Sequence, residues 1–411
     1  MANTFAVVDM VTKEALRIAH EKLSFIGTID RQYDDSFKQT GGKHGSTLRV
    51  REPNRYTRRQ GSRVMDVQDQ VESTQTITVA TQDGVDMKFN SAELIQSVNN
   101  GAAFDDLSKN YIAPAVATLV SGIEADFLAY ATKKVYNVAG TAGTGITTLV
   151  APGAARAKLN QGLAPKDMRS IQMDSVTMGG LVNGMAAYFN PSNAISEQYR
   201  EGLIARTAMA DYYENERVWS LTNGDDITGT TDAAAQVTDG GTTIDMADTI
   251  TTAAVGAVFT VAGVYACHPE TKAAYPHLQQ FVITANASGV CTVSPATILT
   301  GAKKNVCSST GANLATTDFN SKTLVFQGNA STSYLQPLMY HKEAFQFITA
   351  DLPLMDDAQK CVRRVQDGLS VRVWMGSDIR NDELLMRLDI LYGMAALRPE
   401  WACRMIGSAS A

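Results

Sequence analysis

The chain changes character twice. At Thr222-Asn223-Gly224 it enters a stretch rich in Thr, Ala, Gly and Val, which it leaves at Tyr334. Charges are few there, and short alternating runs recur at Thr242–Asp245, Val258–Val261, Phe281–Thr284, Val290–Val293 and Leu324–Phe326. Turn pairs such as Gly240-Gly241 separate them. Alternation sends successive side chains to opposite faces, which suits short strands with one buried face. Residues 223–333 therefore predict a small all-β domain, a barrel or a sandwich. The surrounding pattern resumes beyond it, so this domain is an insertion into another. At 411 residues the chain is too long for one compact core, and two or three domains are expected.

Before the insertion the helical signals dominate. Val8, Val11, Ala15, Ile18, Ala19 and Leu23 fall at helical spacing and predict an amphipathic helix over Val7–Phe25, either docked or reaching onto a neighbouring subunit. Asn90-Ser91-Ala92-Glu93 carries a helix start, with Ser91 as cap. Ile112, Val116, Leu119, Val120, Ile123, Phe127, Ala131 and Val135 step by three or four residues, predicting a long helix over Tyr111–Tyr136. Pro114 sits in its first turn, where a missing donor costs little. Such a helix is a spine of roughly 39 Å. Further on, 165–169 predicts the opening of a short helix, Phe189-Asn190-Pro191-Ser192 a turn into another, Tyr199–Asp211 a helix and Tyr213–Trp219 a strand.

Between the first helix and the spine lies an arginine-rich segment. Arg49, Arg51, Arg55, Arg58, Arg59 and Arg63 are followed by acidic Asp66, Asp69 and Glu72. Leu48–Arg51 and Thr76–Val79 alternate as strands, with Pro53 and Gly61 between them, which predicts a long hairpin with an arginine-rich tip. The planar guanidinium fork matches carboxylates, so these six residues are candidates for contacts between subunits. A solvated loop and a nucleic-acid contact are the alternatives. The net charge of −6 and the few interleaved aromatics weigh against nucleic acid.

No motif for catalysis, metal or phosphate binding coheres. The Gly140–Gly145 run lacks phosphate-loop spacing. Cys267, His268, His277, Cys291 and Cys307 match no common zinc spacing and show no partner to orient a Cys-His pair. Asp378, Asp382 and Glu383 fall between two strands and suit a solvated loop. His341-Lys342-Glu343 is placed in a strand, pairing across a sheet. No catalytic residue, metal site or cofactor is expected, and the chain is not expected to be an enzyme. The five cysteines are odd in number and lack a C-x-x-C pair, which fits a reduced compartment with buried or idle thiols. Apolar residues make up 45% and charged residues 19%, ordinary for a folded chain. Neither a signal peptide nor a membrane span is expected.

The last third carries a resemblance. Met339-Tyr340-His341-Lys342-Glu343-Ala344-Phe345-Gln346-Phe347, Ala350-Asp351-Leu352-Pro353, and the closing Tyr392-Gly393 with Arg398-Pro399-Glu400 resemble the C-terminal region of tailed-phage major capsid proteins. The element order is similar to the Hong Kong 97 fold, and the inserted β domain to that of short-tailed-phage coat proteins. The resemblance implies an α+β capsid fold with spine helix, long β-strands, extended loop and an inserted barrel-like domain.

It also implies a layout: N-terminal arm 1–44, extended loop 45–76, peripheral domain 77–140, axial domain 141–222 and 334–370, and peripheral strands with the C-terminus 371–411. The implied function is a noncovalent icosahedral shell of hexamers and pentamers, assembled in host cytoplasm around double-stranded DNA with scaffolding protein and portal. An acidic chain suits such a container, since its wall must not bind the genome tightly. A β-rich tail or adhesion component is the alternative, and a hydrolase the third possibility.

Overall fold

A computed structural model describes residues 23–33, 47–58, 61, 63–65, 67, 74–90, 113–185, 210–225, 227–247, 250–354, 360–366 and 369–408. Most of the expected first helix, the Ser91 helix start, the turn expected over 189–192 and most of the helix expected over Tyr199–Asp211 lie outside the described residues; Asp211 itself begins a strand. The chain divides into two compact units. One comprises Met1–Val50, Thr74–Phe127 and Phe345–Ala395; the other comprises Arg51–Ser73, Leu128–Ala344 and Ala396–Ala411.

The first unit is built on a six-stranded sheet in the order Asp30–Tyr33, Phe345–Ala350, Glu383–Ala396, Leu369–Asp378, Lys360–Gln366, with Thr81–Asn90 also paired to Glu383–Ala396. Leu369–Asp378 and Glu383–Ala396 form a long hairpin, in register from Val371↔Ile390 to Asp378↔Glu383. Thr81–Asn90 runs antiparallel along it from Tyr392 to Glu383. The spine helix is Ala113–Lys134, close to its expected span, and about 33 Å long by the helical rise. Lys133 and Lys134 in its last turn complement the helix dipole.

Within this unit Val116, Val120, Ile123 and Phe127 are buried, as their spacing requires. Phe127 meets Phe25 edge-on at 5.3 Å and Phe347 at 5.7 Å, and Phe347 stacks on Tyr392 at 5.5 Å. Glu124 points into the same core, fully buried. Its carboxylate accepts from Ser24 N at 3.0 Å, from Ser24 Oγ at 2.8 Å and from Phe25 N. This fastens the helical turn Phe25–Thr28 to the spine.

The second unit contains a five-stranded mixed sheet in the order Val138–Gly140, Ala402–Ile406, Leu338–His341, Arg169–Met173, Asp211–Glu214. Helix Val150–Gln161 packs on it, burying Ala151, Ala155 and Leu159 at four-residue spacing. The short helix expected from 165–169 is corrected: Arg169–Met173 is a strand, buried at every position between two others. Arg169 is tied down locally, donating from Nε to Pro165 O (2.7 Å) and from Nη2 to Asn160 Oδ1 and Ala164 O (both 2.8 Å).

The single strand expected over Tyr213–Trp219 is also corrected. Strands Asp211–Glu214 and Ser220–Thr222 are split by a turn in which Asn215 Oδ1 accepts from Arg217 N. His341-Lys342-Glu343 does not lie in one strand either. Leu338–His341 ends at a 3₁₀ turn over Lys342–Ala344, and Phe345–Ala350 begins after it.

The same unit contains the all-β stretch. Strands Gly241–Asp245, Val290–Thr297, Ala274–Ala287, Val258–Cys267, Thr323–Phe326 and Thr228–Thr230 pair in that order. The two ends of this row meet through the Thr231–Met246 bridge, flanked by Asp232 N to Asp245 O and Ala247 N to Thr230 O, both 3.0 Å. The sheet thus closes into a barrel, which leaves no open edge in the row. Phe259, Phe281, Phe319, Ile244, Ile283 and Val293 are among the side chains filling it. Ser220–Thr222 pairs antiparallel with Ser333–Leu335, joining the two ends of the stretch side by side.

Candidate assembly surface

The arginine-rich segment forms the expected hairpin base: Thr47–Arg51 pairs with Thr74–Thr78. Arg49, Arg51, Arg55, Arg58 and Arg63 are exposed. Arg59, and the acidic Asp66, Asp69 and Glu72, lie outside the described residues. Arg55 Nη2 reaches Glu400 Oε1 at 4.0 Å, and Glu52 reaches Lys303 Nζ at 3.9 Å. Both pairs are long and partly solvated, so each contributes well under 1 kcal/mol. They orient the start of the loop without clamping it.

Glu400 belongs to the closing phrase of the sequence, and a dense set of contacts holds that phrase. Pro399–Trp401 is a 3₁₀ turn. Arg398 stacks on Trp401 with the guanidinium 4.1 Å from the ring centre, and His341 meets the same ring edge-on at 5.4 Å. Trp401 Nε1 donates to Gly162 O at 3.0 Å, and Asn137 Nδ2 to Ala402 O at 3.1 Å. At Gly162 an added Cβ would fall 2.5 Å from Glu400 O, so only glycine allows this approach. Burial pushes the Glu400 carboxyl up, against the pull of Arg55 and Arg398. Burial pushes His341 down, against Glu343 and Asp167. These are the features of a packed anchor.

Sequence reasoning missed the apolar part of the loop. Tyr56 is 55% exposed, and Val64, Met65 and Val67 are 76–78% exposed. Large apolar side chains displayed beside arginines form a surface suited to burial against another molecule. The available signal was the Val64-Met65 pair followed by Val67 in an otherwise polar segment.

The candidate chemical residues do not gather into a metal or catalytic set. His268 Nδ1 accepts backbone N–H bonds from Glu270 and Thr271, and His277 stacks on Tyr275 at 5.4 Å. Burial, then nearby Lys158, pushes His277 down to about 4. Cys291 sits at Met246 Sδ, 3.7 Å away. Asp378 accepts from Arg380 N and Asn381 Nδ2 within the hairpin turn, and Glu383 pairs with Lys88 at 2.7 Å. Among the described residues no group of three or more His, Cys, Asp or Glu is arranged to hold a metal ion. No described helix is long and apolar enough to cross a membrane.

Comparison with known proteins fits this picture. The family model described as P22 coat protein, gene protein 5, matches residues 221–407, a little under half of the chain. No curated protein sequence matches significantly. Among solved structures, one from Mycobacterium phage Che8 aligns with a TM-score of 0.50 at 9% identity, covering 93% of this chain and 90% of that one. The capsid of Ralstonia phage GP4 aligns with a TM-score of 0.47 at 8% identity, covering 95% and 92%. The first alignment shows the fold. The coat-protein match spans the barrel, the long hairpin and the closing phrase. With its spine helix, long strands, loop hairpin and inserted barrel, the chain has an α+β fold of the Hong Kong 97 type, and over residues 221–407 it is similar to the P22 coat protein.

Proposed function

We propose that the chain assembles with copies of itself, as hexamers and pentamers, into an icosahedral head around double-stranded DNA. Assembly takes place in the host cytoplasm with a scaffolding protein and a portal, and the shell is held noncovalently. In this assignment residues 1–44 are an arm, 45–76 an extended loop, 77–140 and 371–411 the peripheral domain, and 141–222 with 334–370 the axial domain carrying the insertion 223–333. The chain acts as a structural protein, with no reaction and no cofactor of its own.

The observation that supports this best is the loop. Arg49, Arg51, Arg55, Arg58 and Arg63 stand exposed with Tyr56, Val64, Met65 and Val67. We assign these arginines, together with Arg59, to contacts with a neighbouring subunit. Many weak contacts of this kind permit error correction during assembly and sum to a stable shell. Charge pairing at the surface is screened by salt, so shell yield should fall as ionic strength rises. The test is negative-stain microscopy of the purified chain and of the triple variant Arg55→Ala, Arg58→Ala, Arg59→Ala. Closed shells from the parent and unassembled chain from the variant are expected. Normal shells from the variant would remove the arginines from this role, and a parent that gives neither shells nor capsomers would remove the function itself.

A further inference from the structure

Two cysteines on neighbouring strands of the barrel domain have no part in the assembly surface. Val306–Cys307 is a two-residue strand paired to the end of Val258–Cys267, with Tyr265↔Cys307 and Ala266↔Val306 in register. Cys267 N continues the ladder to Asn305 O at 3.1 Å. Cys267 and Cys307 therefore lie on one face of the ribbon, diagonal to each other. Cys307 Sγ lies 3.7 Å from Ala266 O, the carbonyl bonded to Cys267 N, and burial first, then the nearby Cys267 thiol, raises Cys307 to about 11. Both are free thiols, buried from bulk solvent.

Two lysines flank the pair. Lys272 Nζ donates to Pro269 O at 2.7 Å and to Lys304 O at 3.3 Å. Lys304 Nζ donates to Gly311 O at 2.9 Å and to Asn313 Oδ1 at 2.8 Å. The charge of Lys304 favours a thiolate at Cys307, opposing the effect of burial. The short strand pairs with a single neighbour, so it can open locally without breaking the barrel row.

We propose that Cys267 and Cys307 are a dithiol site that closes to a disulfide when the protein meets a low-molecular-weight disulfide oxidant. Cys307 loses its proton to solvent and its thiolate attacks one sulfur of the oxidant, releasing one small thiolate. Cys267, deprotonated in turn, attacks the Cys307 sulfur of this mixed disulfide and releases the second. Two protein thiols and one small disulfide become one protein disulfide and two small thiols, so electrons and protons balance. A chain made in a reducing compartment holds the open form, and an oxidising one staples the lip of the barrel. Cys291, beside Met246, and Cys403, buried in the strand Ala402–Ile406, are not part of this site.

The test uses the full chain incubated with oxidised glutathione, quenched with an alkylating agent and mapped by peptide mass spectrometry. The expected result is a linked Cys267–Cys307 peptide pair and a loss of about 2 Da from the intact chain. The barrel transition should rise by roughly 5–10 °C, since the bond closes a long loop in the unfolded chain. In the Cys267→Ser variant a glutathione adduct should persist on Cys307 and the rise should vanish. Recovery of both residues as alkylated thiols, a stable adduct on Cys307 in the parent, or linkage of either to Cys361 would overturn the proposal. The parent map decides the matter by itself if the variant does not fold.

Discussion

Glu124 offers the most direct test of how the first unit is held together. Its side chain is fully buried, and its carboxylate receives two backbone N–H groups and the Ser24 hydroxyl. Glu124→Ala leaves these donors without that acceptor, and each costs about 1–3 kcal/mol when buried and unmet. Ser24 is only half-buried, so water can serve part of the loss. The sum is about 3–5 kcal/mol, at the upper end for one substitution. Glu124→Gln keeps an acceptor oxygen but loses the charge that strengthens the bonds, and should cost about 1–2 kcal/mol.

Urea unfolding of unassembled chain, followed by a probe in the first unit, measures this. With a slope near 2 kcal/mol/M the alanine variant should lose roughly 1.5–2.5 M in midpoint. Hydrogen exchange at the Phe25 amide should accelerate in parallel. A midpoint within about 0.3 M of the parent, with Phe25 protection unchanged, would refute the reasoning, because solvent or another group would then be meeting those donors.

The buried pair in the long hairpin makes a second prediction. Asp389 accepts from Arg372 Nη2 and Arg387 Nε, both at 2.6 Å. Asp389→Asn turns an amide toward a buried guanidinium and should cost roughly 3–5 kcal/mol in thermal unfolding, most of which Arg372→Met combined with Asp389→Leu should restore. His277 predicts a pH dependence. Its folded pKa, about 4, lies below the ordinary value of 6.5, so the unfolded chain binds its proton first. Stability is complete above pH 6.5 and falls as pH drops toward 4, by roughly 1–2 kcal/mol for this half-buried ring. Urea midpoints at pH 7 and pH 5 should differ less in His277→Gln than in the parent.

What the sequence revealed followed from periodicity. The apolar residues of the spine recur every three or four positions, and the helix formed over nearly the expected span. The barrel strands were legible as alternation, each found longer than or equal to its run; Val258–Val261, for example, extends to Cys267. Arg169–Met173 was illegible because Arg169, Ser170 and Gln172 are buried by neighbours distant in sequence, a tertiary fact that overrides local pattern. The break at Asn215 needed its side chain's bond to the next turn. At the candidate surface the arginines could be named from composition. Glu400 as the partner of Arg55 could not, since nothing local links a loop to a turn near the other end of the chain.

The ribbon of Ser220–Thr222 and Ser333–Leu335 has a consequence for how such a protein can vary. Because its two ends sit side by side, the barrel is a cassette in topology: a different domain could be spliced there while the flanking chain keeps its path. Chemistry restricts the exchange. Gln280 clips onto Val138 through both ends of its amide, donating to the carbonyl at 3.1 Å and accepting from the N–H at 3.0 Å. Gly256 O accepts from Arg404 Nη1 at 2.8 Å, and Arg404 is a fully buried cation whose pKa burial lowers to about 9. A replacement domain must bring its own carbonyl to that guanidinium, or be exchanged together with residue 404. The boundary along which the insertion can be traded is therefore wider than the two strands at its root, and includes residue 404 in the strand Ala402–Ile406.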